Sequence, residues 1–529
     1  MLGKEVKIDF EGNKFKGIVT SISLGRSNTG GSELIIKGSS PTASLDEGAY
    51  TRSFYEKTLK EIVSNATQDY SGSALDNKPK FSKKLKYIVQ YREGNFKFLT
   101  RLAARFGEWL FYDGEKLYFG AKPSGGSTIE LDFGRDLRSM DLSVKAVPVN
   151  LELQAYDYKK HKFIKKTAEY GQLNEYAQIV YDKSKSEIYP GQPQAPYLQY
   201  MSQEDLDQLT EVWQKSHVSE MVFLHCSTEV QTLKLGATVH VVDQRDGLLG
   251  GTDDYGKFII TQISHNLSIH GDRYDYSNHF EAIPEESEVP PIASSIHPPF
   301  CEMQLADVTE NNDPDGLGRI RVQFLWQRES GEKSPWIRVA SPYSGKDKGF
   351  YIIPEAGDQV LVAFENNNSE RPYVLTGMYN SDAKPEHHNS ENHKKALKTA
   401  GGHEILMNDE KGKEAFGITS PKDVSVTATG GKMTITANAE VTVTSDSGDI
   451  KIDTPATITI HASKIVLQAD AEISMEAPQI KITADAQFNA KAPIIAIEAD
   501  GTNTLKGTGM VNVESSGITS IAGSIIKLN

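Results

Sequence analysis

Few residues of this chain have the types and spacing to do chemistry, and each group misses a chemical requirement. Asn311-x-Asp313-x-Asp315-Gly316 opens like a calcium loop, with alternating oxygen ligands and a glycine at the sharp turn. The twelfth position should supply a bidentate glutamate but holds Val322, so the segment reads as a turn. His387, His388 and His393 could gather a metal, yet they sit in a polar stretch without hydrophobic framing. In a trimer, symmetry could bring three copies of one histidine together. Cys226 and Cys301 match no zinc spacing and are too few for a disulfide framework, so they read as buried, inert thiols. Glu285 and Glu286 lie in the charged, proline-containing run EESEVPPI and read as solvated linker charge rather than an acid/base pair. The sequence carries no nucleophile elbow, phosphate loop or metalloprotease motif. The expectation is a protein that is not an enzyme, with no catalytic residue, no cofactor and no metal.

The elements that would have to position a site point elsewhere. From about Asp423 to Asn529 an apolar residue recurs every seven or eight positions: Ile435, Val443, Ile452, Ile460, Leu467, Met475, Ile482, Ile497, Leu505, Val513, Ile521 and Leu528. Most have an apolar partner two residues earlier, such as Met433, Val441, Ile450 or Ile458. An i, i+2 pair puts both side chains on one face of a strand. Fixed-period repetition of such strands is the signature of a β-solenoid, which hides its apolar face only by stacking. Phe488 is the segment's single aromatic residue, so an ordinary globular core is out of reach. Three beats, about 24 residues, make one triangular coil of a single chain; alternatively, three chains wind together, each supplying one face per level. The period fits both. Small residues such as Ala437, Ala469, Ala477 and Ala484 follow the large ones and are expected at the corners.

With 529 residues, several domains are expected upstream of this rod. A net charge of −14 disfavours a nucleic-acid partner. The start, MLGKEVKIDF, lacks a signal-peptide stretch, and no apolar run approaches the roughly 20 residues that span a bilayer. The expectation is synthesis as a soluble cytoplasmic protein. Strands are predicted at 6–10, 33–36, 149–153, 238–242 and 258–263. Phe54, Leu59, Ile62 and Val63 space as one helix, and Asn95 and Ser202 are expected to cap two more. In 298–380, IRVQF (320–324), WIRVA (336–340) and QVLVAF (359–364) alternate apolar and polar residues between turn signals. About five short strands in that span fit an OB-fold barrel. Residues 381–415 are polar and read as a linker.

In this order the pieces resemble the valine-glycine repeat protein G (VgrG) family of bacterial type VI secretion systems, itself related to the hub and spike of contractile phage tails. The barrel carries the likeness most fully: NDPDGLGRIRVQFLW (312–326), SPWIRVASPYSG (334–345) and GFYIIPEAGDQVLVAFENNNSERPYVLTGMYN (349–380). YREGNFKFLTRLAARFGEWLFY (91–112), YDYSNHFEAIP (274–284) and TAGGHEILMND (399–409) add to it. Val-Gly dipeptides are sparse here; Thr, Ala and Ile dominate the repeat. Family members carry more residues before the segment that begins at Leu2, so an N-terminally incomplete first region is expected.

The resemblance implies a mainly β protein: a phage-hub-like α+β/β-barrel platform over 1–295, an OB-fold domain over 296–381, a neck over 382–415, and a triangular β-helix needle over 416–529 intertwined in a homotrimer. It implies a structural spike that sits on the hexameric inner tube protein (haemolysin-coregulated protein), contacts baseplate proteins, and carries a PAAR-type tip protein and effectors. Such a spike assembles in the cytoplasm, is ejected without a signal peptide, and touches a target membrane transiently. The last histidine is His461, far from the C-terminus, so a metal held at the apex by histidines is not expected. The cap-binding tip is instead assigned to Ile525, Ile526, Leu528 and Asn529. A prophage contractile-tail spike of the same design is the alternative. A cell-wall hydrolase ranks lower, because the insert between barrel and rod is too short for an enzyme domain. An OB-fold nucleic-acid binder ranks last, because 298–380 holds more acidic than basic residues.

Overall fold

The computed structural model describes all residues except 28–30, 71–73, 124–125, 172, 192–193, 201, 246–250, 292–298 and 529. It divides into two units, Met1–Asp423 and Val424–Asn529. The boundary expected between 295 and 296 falls outside the described residues.

The first unit is built on a six-stranded sheet. Its strand order is Leu137–Val144, Val222–Thr228, Arg273–Pro284, Gly251–His270, Thr238–Arg245 and Ile129–Asp132. Alternation sorts its side chains. Val222, Leu224, Val239, Val241, Phe258, Ile260, Phe280 and Ala282 line one core, while Ile259 and Ile283 turn to the other face and meet Trp109. A second core gathers Phe54, Leu59, Ile62, Phe98, Leu99 and Leu102 around a pair of antiparallel strands, Tyr50–Thr58 and Lys84–Glu93. Smaller three-stranded sheets complete the unit, including an N-terminal meander of Glu5–Phe10, Asn13–Ser27 and Gly31–Ser39.

Helix ends follow local chemistry. Ser202 caps Gln203–Ser219 in a reciprocal box with Asp205, in line with the sequence reading. Phe54 belongs to the strand before helix Leu59–Ala66, which starts at a capping box between Thr58 and Glu61. Asn95 is not a cap. Gly94 holds that position, and the Asn95 Oδ1 accepts from Arg52 and Gln90 instead. Gly107 closes the same helix in the left-handed region, φ +68°, where a Cβ would stand 3.1 Å from Val289 and 3.3 Å from Val212. Helix Glu175–Lys183, capped by Asn174, was not anticipated.

The barrel has the strand order Arg321–Phe324, Gln304–Glu310, Gln359–Phe364, Pro372–Gly377. The segment 336–340 closes it. Ile337 and Ile320 exchange backbone hydrogen bonds at 2.8 and 3.0 Å, and Ala340 N–H reaches Val374 at 2.8 Å on the far edge. Ala306, Ile320, Val322, Phe324, Ile337, Val360, Val362 and Val374 fill it.

Residues 381–415 are not a plain linker. Lys394–Lys398, Glu404–Asn408 and Ala415–Thr419 form an antiparallel meander. Leu397, Ile405, Met407, Phe416 and Ile418 are paired neighbours in its register and all are exposed. The sheet escaped the sequence reading because its exposed apolar positions cover no core of their own.

The second unit contains no strand pairing and no buried residue among its described residues. A single-chain triangular coil would pair its strands with itself and bury its own apolar face. The chain does neither.

Candidate functional site

What the second unit does have is regularity. Bends fall at 421–422, 429–431, 438–439, 446–448, 455–456, 463, 470–471, 478, 485–486, 493, 500–501, 508–509, 516–517 and 524. Two residues past the end of each bend lies the first of two alternate positions, and four residues past it lies the second. The second positions are the twelve beats of the sequence reading plus Val426 and Ala490, which makes fourteen tiers. Alternation puts first and second positions on one face. That face is uncovered throughout: Ile473 is 52% exposed and Ile497 is 74% exposed. An apolar stripe of this length on a soluble surface far exceeds what a monomer leaves open.

The expected tip residues continue the stripe. Ile526 and Leu528 hold the first and second positions of the last tier, Ile525 precedes them, and all three are exposed. Asn529 lies outside the described residues.

In the first unit the barrel docks on the core behind it through strand Lys84–Glu93. Ile88 faces the helices, while Tyr87, Val89 and Tyr91 face the barrel core. Beside them lies a buried ion cluster. The Arg101 guanidinium donates to Glu93 at 2.8 and 3.0 Å, to the Val89 carbonyl at 2.8 Å and to Glu370 of the barrel at 3.3 Å. Arg105 donates to the other Glu370 oxygen. Burial alone would push the Glu370 carboxyl up; Arg105 and Arg101 outweigh it and hold the group below its ordinary range. Gln327 of the barrel donates to Ser53 at 2.7 Å, and Arg338 lies 4.6 Å over the Tyr158 ring. Sequence reasoning missed this joint, since Arg101 and Glu370 lie far apart in the chain.

The aspartates of the candidate calcium loop are engaged within the loop itself. Asp313 accepts from the Arg319 guanidinium at 2.6 and 2.9 Å and from the Asp315, Leu317 and Arg319 backbone N–H groups. Those bonds hold its carboxyl far below the usual range and make the segment a pinned turn. His387 pairs with Glu404 of the neck sheet, and among the described residues no three potential ligands converge on a metal position. Burial pushes the Cys226 thiol up to about 12 and the Cys301 thiol up to about 11.

Two family models match this architecture. One, described as the phage tail baseplate hub (GPD), matches residues 1–270. The other, the type VI secretion system/phage-baseplate injector OB domain, matches residues 304–379. The chain belongs to the phage tail baseplate hub (GPD) family. The hub match covers five of the six strands of the large sheet, all but Arg273–Pro284, and the helices around it, and the OB match covers the closed barrel. The expected mainly β class, with a hub-like region followed by an OB domain, therefore holds.

Among relatives of this hub protein, the type VI secretion system spike protein VgrG5 of Pseudomonas aeruginosa is 32% identical over 165 residues, covering 28% of this chain and 21% of that protein. VgrG1c of the same organism is 22% identical over 417 residues, covering 71% and 55%. The chain thus spans about a fifth of the length of the first of these relatives and about half that of the second. Among solved structures, an E. coli type VI secretion component, described as similar to T4 bacteriophage tail proteins gp27 and gp5, overlays with a TM-score of 0.47 at 16% identity, over 72% of this chain and 88% of that one. No helix among the described residues is long and apolar enough to cross a membrane.

Proposed function

We propose that this chain is the central spike of a contractile injection machine of the type VI secretion class, and that it works mechanically rather than as an enzyme. The observation that carries the reading is the tiered stripe of 424–528: an apolar face that one chain leaves open at every level. Three copies wound about a common axis cover it, each supplying one face per level. With strands about 4.8 Å apart, each chain climbs about 14 Å per turn, and the wound segment is about 65 Å long. The uncovered face of the neck sheet is closed by the same threefold arrangement.

In this reading the hub region forms the platform on the hexameric tube protein, among baseplate proteins, and the barrel leads into the needle. Ile525, Ile526 and Leu528 form the apolar end that receives a PAAR-type tip protein, and effectors travel on the assembly into the target cell. Three chains that encircle one another cannot separate without unfolding, which suits a part driven through a membrane.

Light scattering on the purified chain tests the assembly. A particle of three times 58.3 kDa that persists on heating in mild detergent is expected. A clean monomer would refute the spike.

A further inference from the structure

The stripe is nearly uniform, and uniformity creates a problem that the sequence solves. If three identical chains wind together, each tier of one resembles the next tier of its neighbours. Slipping one chain by one beat costs little wherever adjacent tiers match. Tiers from Val424 to Ile482 hold only Val, Ile, Leu and Met at both positions. Beyond Ile482 the pattern breaks at fixed places. Phe488 stands at a first position, two residues past the bend at 485–486, with Ala490 as its second. Asn503 stands at a first position two residues past the bend at 500–501, with Leu505 as its second, and Thr519 does so past 516–517. A large ring beside a small methyl keeps the tier's volume near that of an Ile–Ile tier, so the Phe488 tier fits only against itself.

We propose that the Phe488–Ala490 and Asn503 tiers are register marks that align the three copies level by level in the distal part of the needle. The inference rests on the trimeric reading above. In register, three Asn503 carboxamides meet around the axis, where each can donate to the next and accept from the last. After a slip of one beat an Asn503 meets Ile495 or Val511 and loses its partner in an apolar core, at the cost of an unsatisfied polar group. A slipped Phe488 meets Ile480 or Ile495 in a tier that lacks the compensating alanine. A lone polar residue fixes alignment in coiled coils by the same logic, at some cost in stability.

The geometry supplies a test. Each beat turns a chain by a third of a revolution and lifts it by about 4.8 Å. A slipped chain therefore places any residue directly above its own counterpart in a neighbour, within the roughly 4.4–6.8 Å between Cα atoms that a disulfide spans. In register, the three counterparts stand on three different faces, beyond that reach. Asn512 lies between Val511 and Val513 and so faces away from the stripe.

The full chain carrying Asn512→Cys is oxidised and run on a denaturing, non-reducing gel, beside the same chain with Phe488→Ile, Ala490→Ile and Asn503→Ile. The two native thiols are buried and stay out of the reaction. Chains without cross-links in the first, and disulfide-linked pairs in the second, are expected. The second should resist heat at least as well as the first. Cross-links in both, or in neither while both remain trimeric by light scattering, overturn the register proposal alone. A monomeric parent overturns the spike reading and this proposal with it.

Should the altered chain fail to fold, a transposed variant of unchanged composition, Ile495→Asn with Asn503→Ile, is co-expressed with the parent under a different tag. The two should sort into separate trimers, and mixing in statistical proportion overturns the proposal.

Discussion

Replacing Arg101 by methionine isolates the joint between hub and barrel. The Arg101 side chain is 7% exposed and Glu93 beside it is 2% exposed. Methionine keeps much of the stem volume but removes every donor. Glu93 is then left in a buried place without the guanidinium that held it, and the Val89 carbonyl loses its 2.8 Å donor. Glu370 is less affected, because Arg105 still reaches it. Removing one partner of a buried pair costs about 3–5 kcal/mol, far more than the pair's net worth. Glu93→Gln alone should also destabilise, by leaving Arg101 partly uncompensated. The double variant should cost less than the sum of the singles by about 1–3 kcal/mol, since no buried charge is left stranded on that side. Urea unfolding followed by tryptophan fluorescence reads these differences, with Trp326 and Trp336 in the barrel and Trp109 on the hub side. An Arg101→Met midpoint within about 1 kcal/mol of the parent, or strict additivity in the double variant, would show that the cluster does not hold the joint as described.

Three further outcomes are expected. Ile473→Asp places a carboxylate at a first position of the stripe, so winding would bury three such charges at one level; trimers should be lost by light scattering while the helical signal of the first unit persists in circular dichroism. Asp313→Asn strips the charge that pairs the 3%-exposed Arg319 side chain and should cost about 3 kcal/mol in urea, whereas a chelator should leave the parent's midpoint where it was. Acid should loosen the hub–barrel joint, because Glu370 is held below its unfolded value: its contribution is complete above the ordinary carboxylate range and is lost as pH falls through and below it, which a urea series from neutral to acid would trace. A joint equally stable across that series would contradict the assignment of Glu370 as the barrel's buried anion.

What the sequence made legible follows from what is local. The beat of 424–528 is a period, and periods survive without knowledge of the partner. Ser202 announced its helix because a capping box is spelled within four residues. Thr58 and Glu61 spell the same box, and their helix was seen, though Phe54 was drawn into it from the strand before. Asn95 misled because its side-chain oxygen is taken by Gln90, five residues before it, and by Arg52, distant in the chain. The neck sheet was lost for a different reason: its apolar residues alternate properly, but nothing in one chain covers them. The ion cluster at Glu370 could not be read at all, since its members arrive from separate elements and each is an ordinary surface residue type.

The two units divide the physical work. The first stabilises itself with ordinary cores, and its barrel is fixed by side chains whose geometry matters more than their net energy. A buried ion cluster adds little over a well-packed apolar one, but it tolerates sliding poorly, because hydrogen bonds of 2.8–3.0 Å fail on small lateral shifts. In the proposed spike, that suits a joint that passes an axial load without letting the barrel shear across the hub. The second unit buries none of its described apolar residues, so in the trimer proposed above its folding free energy is its assembly free energy. If three copies wind together as proposed, the needle is rigid only when complete, which ties its strength to the correct alignment of three chains rather than to any one of them.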